Sequence, residues 1–268
     1  MGKRVWLTVP TYNESENLER LVAAALPELE RIAPGEHTLL VVDDHSPDGT
    51  GDIADRLAVE HEAVEVLHRA GKDGLGPAYL AGFERALAGG AALVAVMDCD
   101  LSHDPRSLPD LIAAAERGAD LVIGSRYVKG GGIEDWPRLR RTLSRAGSTY
   151  ARLLLRVQVR DLTGGFKCIR REVLEQVEPA SLRSQGYVFN IELTYRALLA
   201  GFRVREVPIT FRDRQYGKSK ISLPIAFEAL LLVPRLRRSA REVPEVQEAL
   251  AVAGEGEPDA EPATRTVV

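Results

Sequence analysis

The chain has 268 residues, 45% hydrophobic and 28% charged, with a net charge of −4, enough for one large α/β domain with an ordinary core. Its two cysteines, Cys99 and Cys168, lie far apart, which excludes a disulfide framework and fits a reducing compartment. No run approaches the ~18 consecutive apolar residues of a bilayer span, and the apolar run before Pro10 is too short for a secretory leader, so the expected location is the cytoplasm.

Residues 4–9 (RVWLTV) read as a buried strand ended by Pro10. A helix is expected from about Asn13, with Leu18, Leu21, Val22, Ala25, Leu29 and Ile32 at helical spacing and Pro27 set to kink or split it. A second strand at 38–42 ends in Asp43-Asp44, and a helix over 53–61 leads to a short strand at 64–67. A helix over 78–87 places Leu80, Phe83 and Leu87 on one face. The fourth strand, 92–97, ends in Asp98-Cys99-Asp100; Pro105 opens another helix, and 121–123 is a fifth strand. This alternation implies a Rossmann-like, mostly parallel sheet with helices on both faces. Ligands of such sheets bind outside the carboxyl ends of the strands, so the three polar strand ends should converge on one crevice.

Within that crevice the Asp98-Cys99-Asp100 pair of carboxylates is the sharpest signal. Mg²⁺ and Mn²⁺ prefer oxygen ligands, commonly one or two carboxylates plus substrate phosphates and waters. Asp44 could accept hydrogen bonds from a ribose or a base, and Asp48-Gly49 also reads as a turn. A dinucleotide fingerprint is excluded, because PTYNE stands where glycines would be needed. Three glycines, Gly130 to Gly132, precede Arg138, Arg140 and Arg141, and a second basic segment runs from Arg212 to Lys220. Arginine clusters of this kind suit bidentate phosphate binding. Nucleic acid is disfavoured by the net acidic charge and the lack of a binding motif.

Nine segments in order carry a resemblance: VPTYNESENL, VVDDHSPDGT, GKDGLGPAYLAGF, MDCDLSHDP, VIGSRYVKGGGIEDWP, DLTGGFK, SQGYVFNIEL, VPITF and DRQYGKSK. Between about Arg4 and Ser222 the sequence resembles family 2 glycosyltransferases of the GT-A fold, and within them the polyprenyl- and dolichyl-phosphate mannose synthases. The resemblance implies a single GT-A domain over 1–222. It implies that Pro10, Tyr12, Glu14, Val42 and Asp44 hold a nucleoside, with the Cys99 backbone close by. Asp98 and Asp100 would bind Mg²⁺ or Mn²⁺, with Ser102 standing where some relatives supply a glutamine ligand. Arg126, Arg140, Arg214 and Lys220 would serve two phosphate-bearing substrates, with Arg140 or its neighbour Arg141 in the catalytic role beside Asp100.

The implied reaction is inverting transfer of mannose from GDP-mannose to a polyprenyl monophosphate. A glucosyltransferase using UDP-glucose and a non-catalytic nucleotide-sugar-binding subunit are the alternatives. The acceptor places the protein peripherally at the cytoplasmic face of a membrane. Residues 223–241, an apolar run followed by Arg235, Arg237, Arg238 and Arg241, read as an interfacial helix or a last core helix. A membrane-anchored partner protein is a third route. Residues 242–268 hold seven acids and one base and no aromatic residue, leaving the preceding 241 residues at +2; the tail is expected to be disordered.

Overall fold

The computed structural model describes residues 4–178, 182, 186–214 and 233–238. The apolar runs become strands β1 (Val5–Thr11), β2 (His37–Asp43), β3 (Val64–His68), β4 (Leu93–Val96) and β5 (Leu121–Ser125). The helices among them are α1 (Leu18–Ile32), α2 (Thr50–Glu60), α3 (Leu75–Ala88) and α4 (Leu108–Glu116), the last preceded by a 3₁₀ turn. Then come β6 (Gly132–Ile133), α5 (Arg138–Leu155), β7 (Lys167–Arg170), α6 (Arg171–Val177), α7 (Gly186–Leu199), β8 (Val204–Pro208) and β9 (Thr210–Phe211). The main sheet has the order β3-β2-β1-β4-β7-β5-β8, parallel except for β7, which runs antiparallel between β4 and β5. β6 and β9 form a separate two-stranded ribbon.

The side-chain alternation of the strands divides the core into two layers. Leu7, Val9, Leu39 and Val41 face α1, α2 and α4, whereas Trp6, Leu40 and Val42 face α3, α5, α6 and α7. Fully buried strands of this kind are what two-sided coverage requires.

Three sequence expectations are corrected. β1 does not end at Pro10 but runs to Thr11. Its pairing with β4 stops at Thr8, where the Thr8 carbonyl takes the Met97 N–H, so two residues later Pro10 turns its missing donor to an unpaired side. The first helix starts at Leu18 rather than Asn13, whose φ of 55° is left-handed. Pro27 does not split that helix: Pro27 and Ala23 are both exposed, so the Ala23 carbonyl that loses its partner faces solvent.

Of the 223–241 segment only 233–238 is described; it is helical, with Val233 buried and Leu236 packed on the core. The expected domain limits near 222 and 241, the tail and Lys220 lie outside the described residues.

Candidate active site

β1, β2 and β4 deliver their polar sequences to one end of the sheet, and each exit turns through a non-glycine residue in the left-handed region. These are Asn13 (φ 55°), His45 (φ 56°) and Leu101 (φ 58°), a conformation that costs energy and is sustained by neighbouring bonds. After β2 the Asp43 carboxylate accepts the Ser46 hydroxyl at 2.6 Å, and after β4 the Asp100 carboxylate accepts the Ser102 N–H at 3.1 Å. The first two loops are also tied together. The backbone N–H groups of Asn13, Glu14 and Ser15 donate to Ser46 Oγ, Thr50 Oγ1 and Asp48 Oδ2 at 3.1, 2.9 and 3.1 Å.

The expected nucleoside residues gather here. Pro10 and Tyr12 are half-buried, Glu14 and Asp44 are buried, and the Val42 side chain belongs to the core. Asp44 pairs with Arg69, and the Lys72 ammonium lies 3.9 Å from the centre of the Tyr12 ring. Burial raises the Asp44 carboxyl above its ordinary range, against the pull of Arg69.

Beyond β1, β4 presents the acidic pair. Asp98 is part-exposed, Asp100 is buried, and Cys99 faces the core. Asp100 Oδ2 meets Arg214 at 2.9 Å. Ser102 is buried, and its hydroxyl has no hydrogen-bond partner among the described residues. His103 is buried, with its ring centre 5.2 Å from those of both Phe166 and Phe211. Burial pushes its imidazole down to about 4, so it is neutral near pH 7.

Phe211 links the acidic loop to the basic residues. Its ring also meets Trp136 at 5.2 Å and lies under Arg126 at 5.5 Å. Arg140 stacks 3.9 Å over Trp136 and bonds Asp213 at 3.1 Å. The run Arg140, Asp213, Arg214, Asp100 is therefore continuous, and it joins α5 to the carboxylates after β4. Arg138 and Arg141 are exposed, so Arg140 is the arginine turned toward these groups.

Arg126 is clamped by Asp161, which is fully buried and accepts its backbone N–H at 3.0 Å, Nε at 2.7 Å and Nη2 at 2.6 Å. Burial alone would raise the Asp161 carboxyl; Arg126 and Lys167 hold it below its ordinary range. Glu206 on β8 completes the support by accepting the N–H groups of Arg160 and Asp161 at 2.8 and 2.9 Å. Buried Lys167 donates to the Gly164 carbonyl, and burial pushes its ammonium down to about 7. Gly165 lies beside Asp98: a Cβ there would stand 3.7 Å from both of its carboxylate oxygens.

Sequence reasoning missed Arg69, Asp161 and Phe211. Arg69 and Asp161 bind partners 25 and 35 residues away, beyond any local periodicity. The signals available were the DLTGGFK and VPITF motifs that contain Asp161 and Phe211.

A mostly parallel sheet with acidic strand exits beside an arginine-bearing helix fits the GT-A class of glycosyltransferases. The fold matches a mannosyltransferase from Pyrobaculum calidifontis solved in complex with GDP-Man and Mn²⁺ (TM-score 0.54, 17% identity, 96% of this chain and 77% of that one). It also matches glucosyl-3-phosphoglycerate synthase from Mycobacterium tuberculosis in complex with Mn²⁺, UDP and glucosyl-3-phosphoglycerate (TM-score 0.59, 18% identity, 92% and 81%). The glycosyl transferase family 2 model matches residues 6–178, and the chain belongs to that family. It is 47% identical to the polyprenol monophosphomannose synthase of Mycolicibacterium smegmatis, over 86% of each chain. It is 46% identical to the undecaprenyl-phosphate mannosyltransferase of Micrococcus luteus, over 89% of this chain and 96% of that one.

Proposed function

We propose that this chain transfers mannose from GDP-mannose to a polyprenyl monophosphate, inverting the anomeric carbon. The observation that carries the reading is the 46–47% identity, over 86–89% of this chain, to two enzymes named for polyprenyl-phosphate mannose chemistry. The chemistry of the site supports it. A phosphate monoester has a second pKa of about 6, so near pH 7 the acceptor is already an anion and needs no general base. The task left to the protein is to hold two mutually repelling phosphate groups together. Arg126, Arg140 and Arg214 beside Asp98 and Asp100 suit that task, with Lys220 as a further candidate.

The donor set fits a hard divalent cation. Among the described residues no three His, Cys, Asp or Glu side chains gather round one point, and two carboxylates with substrate phosphates and water are a common Mg²⁺ arrangement. The buried, unpartnered Ser102 hydroxyl is a further oxygen beside them. Asp98, Asp100 and Ser102 would hold Mg²⁺ or Mn²⁺, which, when bound, would offset charge on the departing nucleoside diphosphate. Pro10, Tyr12, Glu14, Val42, Asp44 and the Cys99 backbone are read as the nucleoside site. Asp44, beside Arg69, offers an acceptor next to a donor, a pattern that suits the edge of a guanine.

Arg140 is the acceptor-phosphate arginine in this reading. The acceptor's isoprenoid tail keeps it in a bilayer, and no helix among the described residues is long and apolar enough to cross one. We read the protein as meeting its acceptor at the cytoplasmic membrane surface, directly or through a membrane-anchored partner. Arg140→Ala should lower kcat/KM for mannosyl transfer to a water-soluble short-chain polyprenyl phosphate at least about tenfold, because charge-assisted phosphate contacts contribute ~1.5–3 kcal/mol. Arg138→Ala should change it little. Equal losses in the two variants would overturn the role given to Arg140.

A further inference from the structure

Trp136 stands between the ribbon strand that ends at Ile133 and the helix that carries Arg140. The Glu134 N–H donates to the Phe211 carbonyl at 2.8 Å, and Asp135 then turns through the left-handed region at φ 61°, a costly conformation for a residue with a Cβ. That turn sets the Trp136 ring nearly perpendicular to Phe211, at 74°, and under Arg140, whose guanidinium carbon lies 3.9 Å from the ring centre. The indole is 8% exposed, and its Nε1–H has no acceptor among the described residues. Buried tryptophan N–H groups ordinarily find a partner, because a donor stranded away from water is costly. A ring with no donor would pack on Phe211 and Arg140 as well, so packing does not account for the N–H.

The surroundings of the indole select an anion as the missing acceptor. The Arg140 side chain is 29% exposed whereas the ring beneath it is buried, so an anion drawn to this arginine from solvent arrives beside the indole. α5 begins two residues on, at Arg138, and no side chain caps its first N–H groups. A helix N-terminus of this kind favours negative charge and offers further N–H donors. Arginine stacked on an aromatic face keeps its in-plane donors available for a phosphate.

We propose that the Trp136 Nε1–H donates a hydrogen bond to a phosphate oxygen of the acceptor held by Arg140, which makes Trp136 a substrate-contacting residue. The inference rests on the polyprenyl-phosphate reading and deepens it. Arg140 supplies the charge that attracts the phosphate, and the single donor of a rigid indole fixes how the phosphate is turned. No proton changes hands in this contact, because the indole stays a neutral donor and the phosphate arrives as an anion.

The chain has two tryptophans, Trp6 and Trp136, so the indole region of a nitrogen–proton correlation spectrum of the labelled protein holds two signals. Trp136→Phe assigns them, or Trp6→Phe should the first variant fail to fold. Titration with a water-soluble short-chain polyprenyl phosphate should move the Trp136 signal downfield to saturation and leave that of buried Trp6 in place. GDP should leave both in place. Trp136→Phe keeps a ring under Arg140 but no donor; it should bind the short-chain acceptor at least about tenfold more weakly, as expected for a lost hydrogen bond to a charged group, with GDP affinity unchanged. A Trp136 signal that stays put at saturating acceptor overturns the proposal, as does a folded Trp136→Phe variant that binds the acceptor as wild type does. A shift produced by GDP alone would put the donor's diphosphate at the indole, and one produced equally by inorganic phosphate would make this a site for free phosphate; either result overturns the acceptor contact. Mannosyl transfer with an unmoved indole rejects the contact alone. An acceptor-dependent shift in a protein that transfers no mannose upholds the contact and rejects the enzymatic reading, and a wild type that binds no acceptor rejects both.

Discussion

At the scale of single residues, the site depends on charges that are paired before any substrate arrives. Asp161 is fully buried and accepts three hydrogen bonds from Arg126. Removing one partner of a buried ion pair strands the other, at a cost of about 3–5 kcal/mol, whereas replacing both with apolar groups can be near neutral. Asp161→Ala should therefore lower stability by about that amount in a urea titration. Arg126→Met combined with Asp161→Leu should recover most of it while transfer activity stays low. Full activity in the double variant would remove Arg126 from the site. Asp100 makes the corresponding test on the acidic side. Asp100→Asn keeps the acceptor for the Ser102 N–H but offers a hard cation a neutral, weaker ligand. Mn²⁺ binding followed by electron paramagnetic resonance should weaken at least about tenfold and turnover should be lost. Unchanged Mn²⁺ affinity would sink the assignment.

At the scale of elements, α3 packs closely on β1, the strand that leads to the PTYNE loop. Gly82 is the contact, since a Cβ there would run into the methyl of Thr8 and stand 3.3 Å from that of Val42. Alanine in a helix interior ordinarily stabilises by ~1 kcal/mol over glycine. Here overpacking, typically ~1–3 kcal/mol, should win. Gly82→Ala should lower Tm, and adding Thr8→Ser, which removes the offending methyl, should restore it; a Tm that rises in Gly82→Ala alone would contradict this packing. The elements readable in advance were those with apolar runs or stripes: β1 to β5 and the helices between them. β7 was not readable as a strand. Its four residues begin and end in charge, and Lys167 is buried because Asp161 and the Gly164 carbonyl stand beside it, not because lysine favours a core. The three strand-end clusters were visible as residue types and their convergence followed from parallel topology. Their partners were not visible, because Arg69, Asp161, Asp213 and Phe211 reach the site through tertiary contacts.

At the scale of the whole molecule, one end of a mostly parallel sheet holds acids after β2 and β4, and a basic helix closes the side toward β6 and β9. Catalysis in this account is the positioning of two phosphate-bearing substrates by arginines and carboxylates, with an acceptor that arrives deprotonated. Lipid mannosylation is measured most directly as transfer itself. Purified protein is incubated with polyprenyl monophosphate, Mg²⁺ and either radiolabelled GDP-mannose or radiolabelled UDP-glucose, and the organic extract is counted. Label from GDP-mannose should enter the lipid phase as an inverted, acid-labile mannosyl phosphate, and label from UDP-glucose should not. Absence of lipid-linked mannose, or preferential transfer from UDP-glucose, would contradict it.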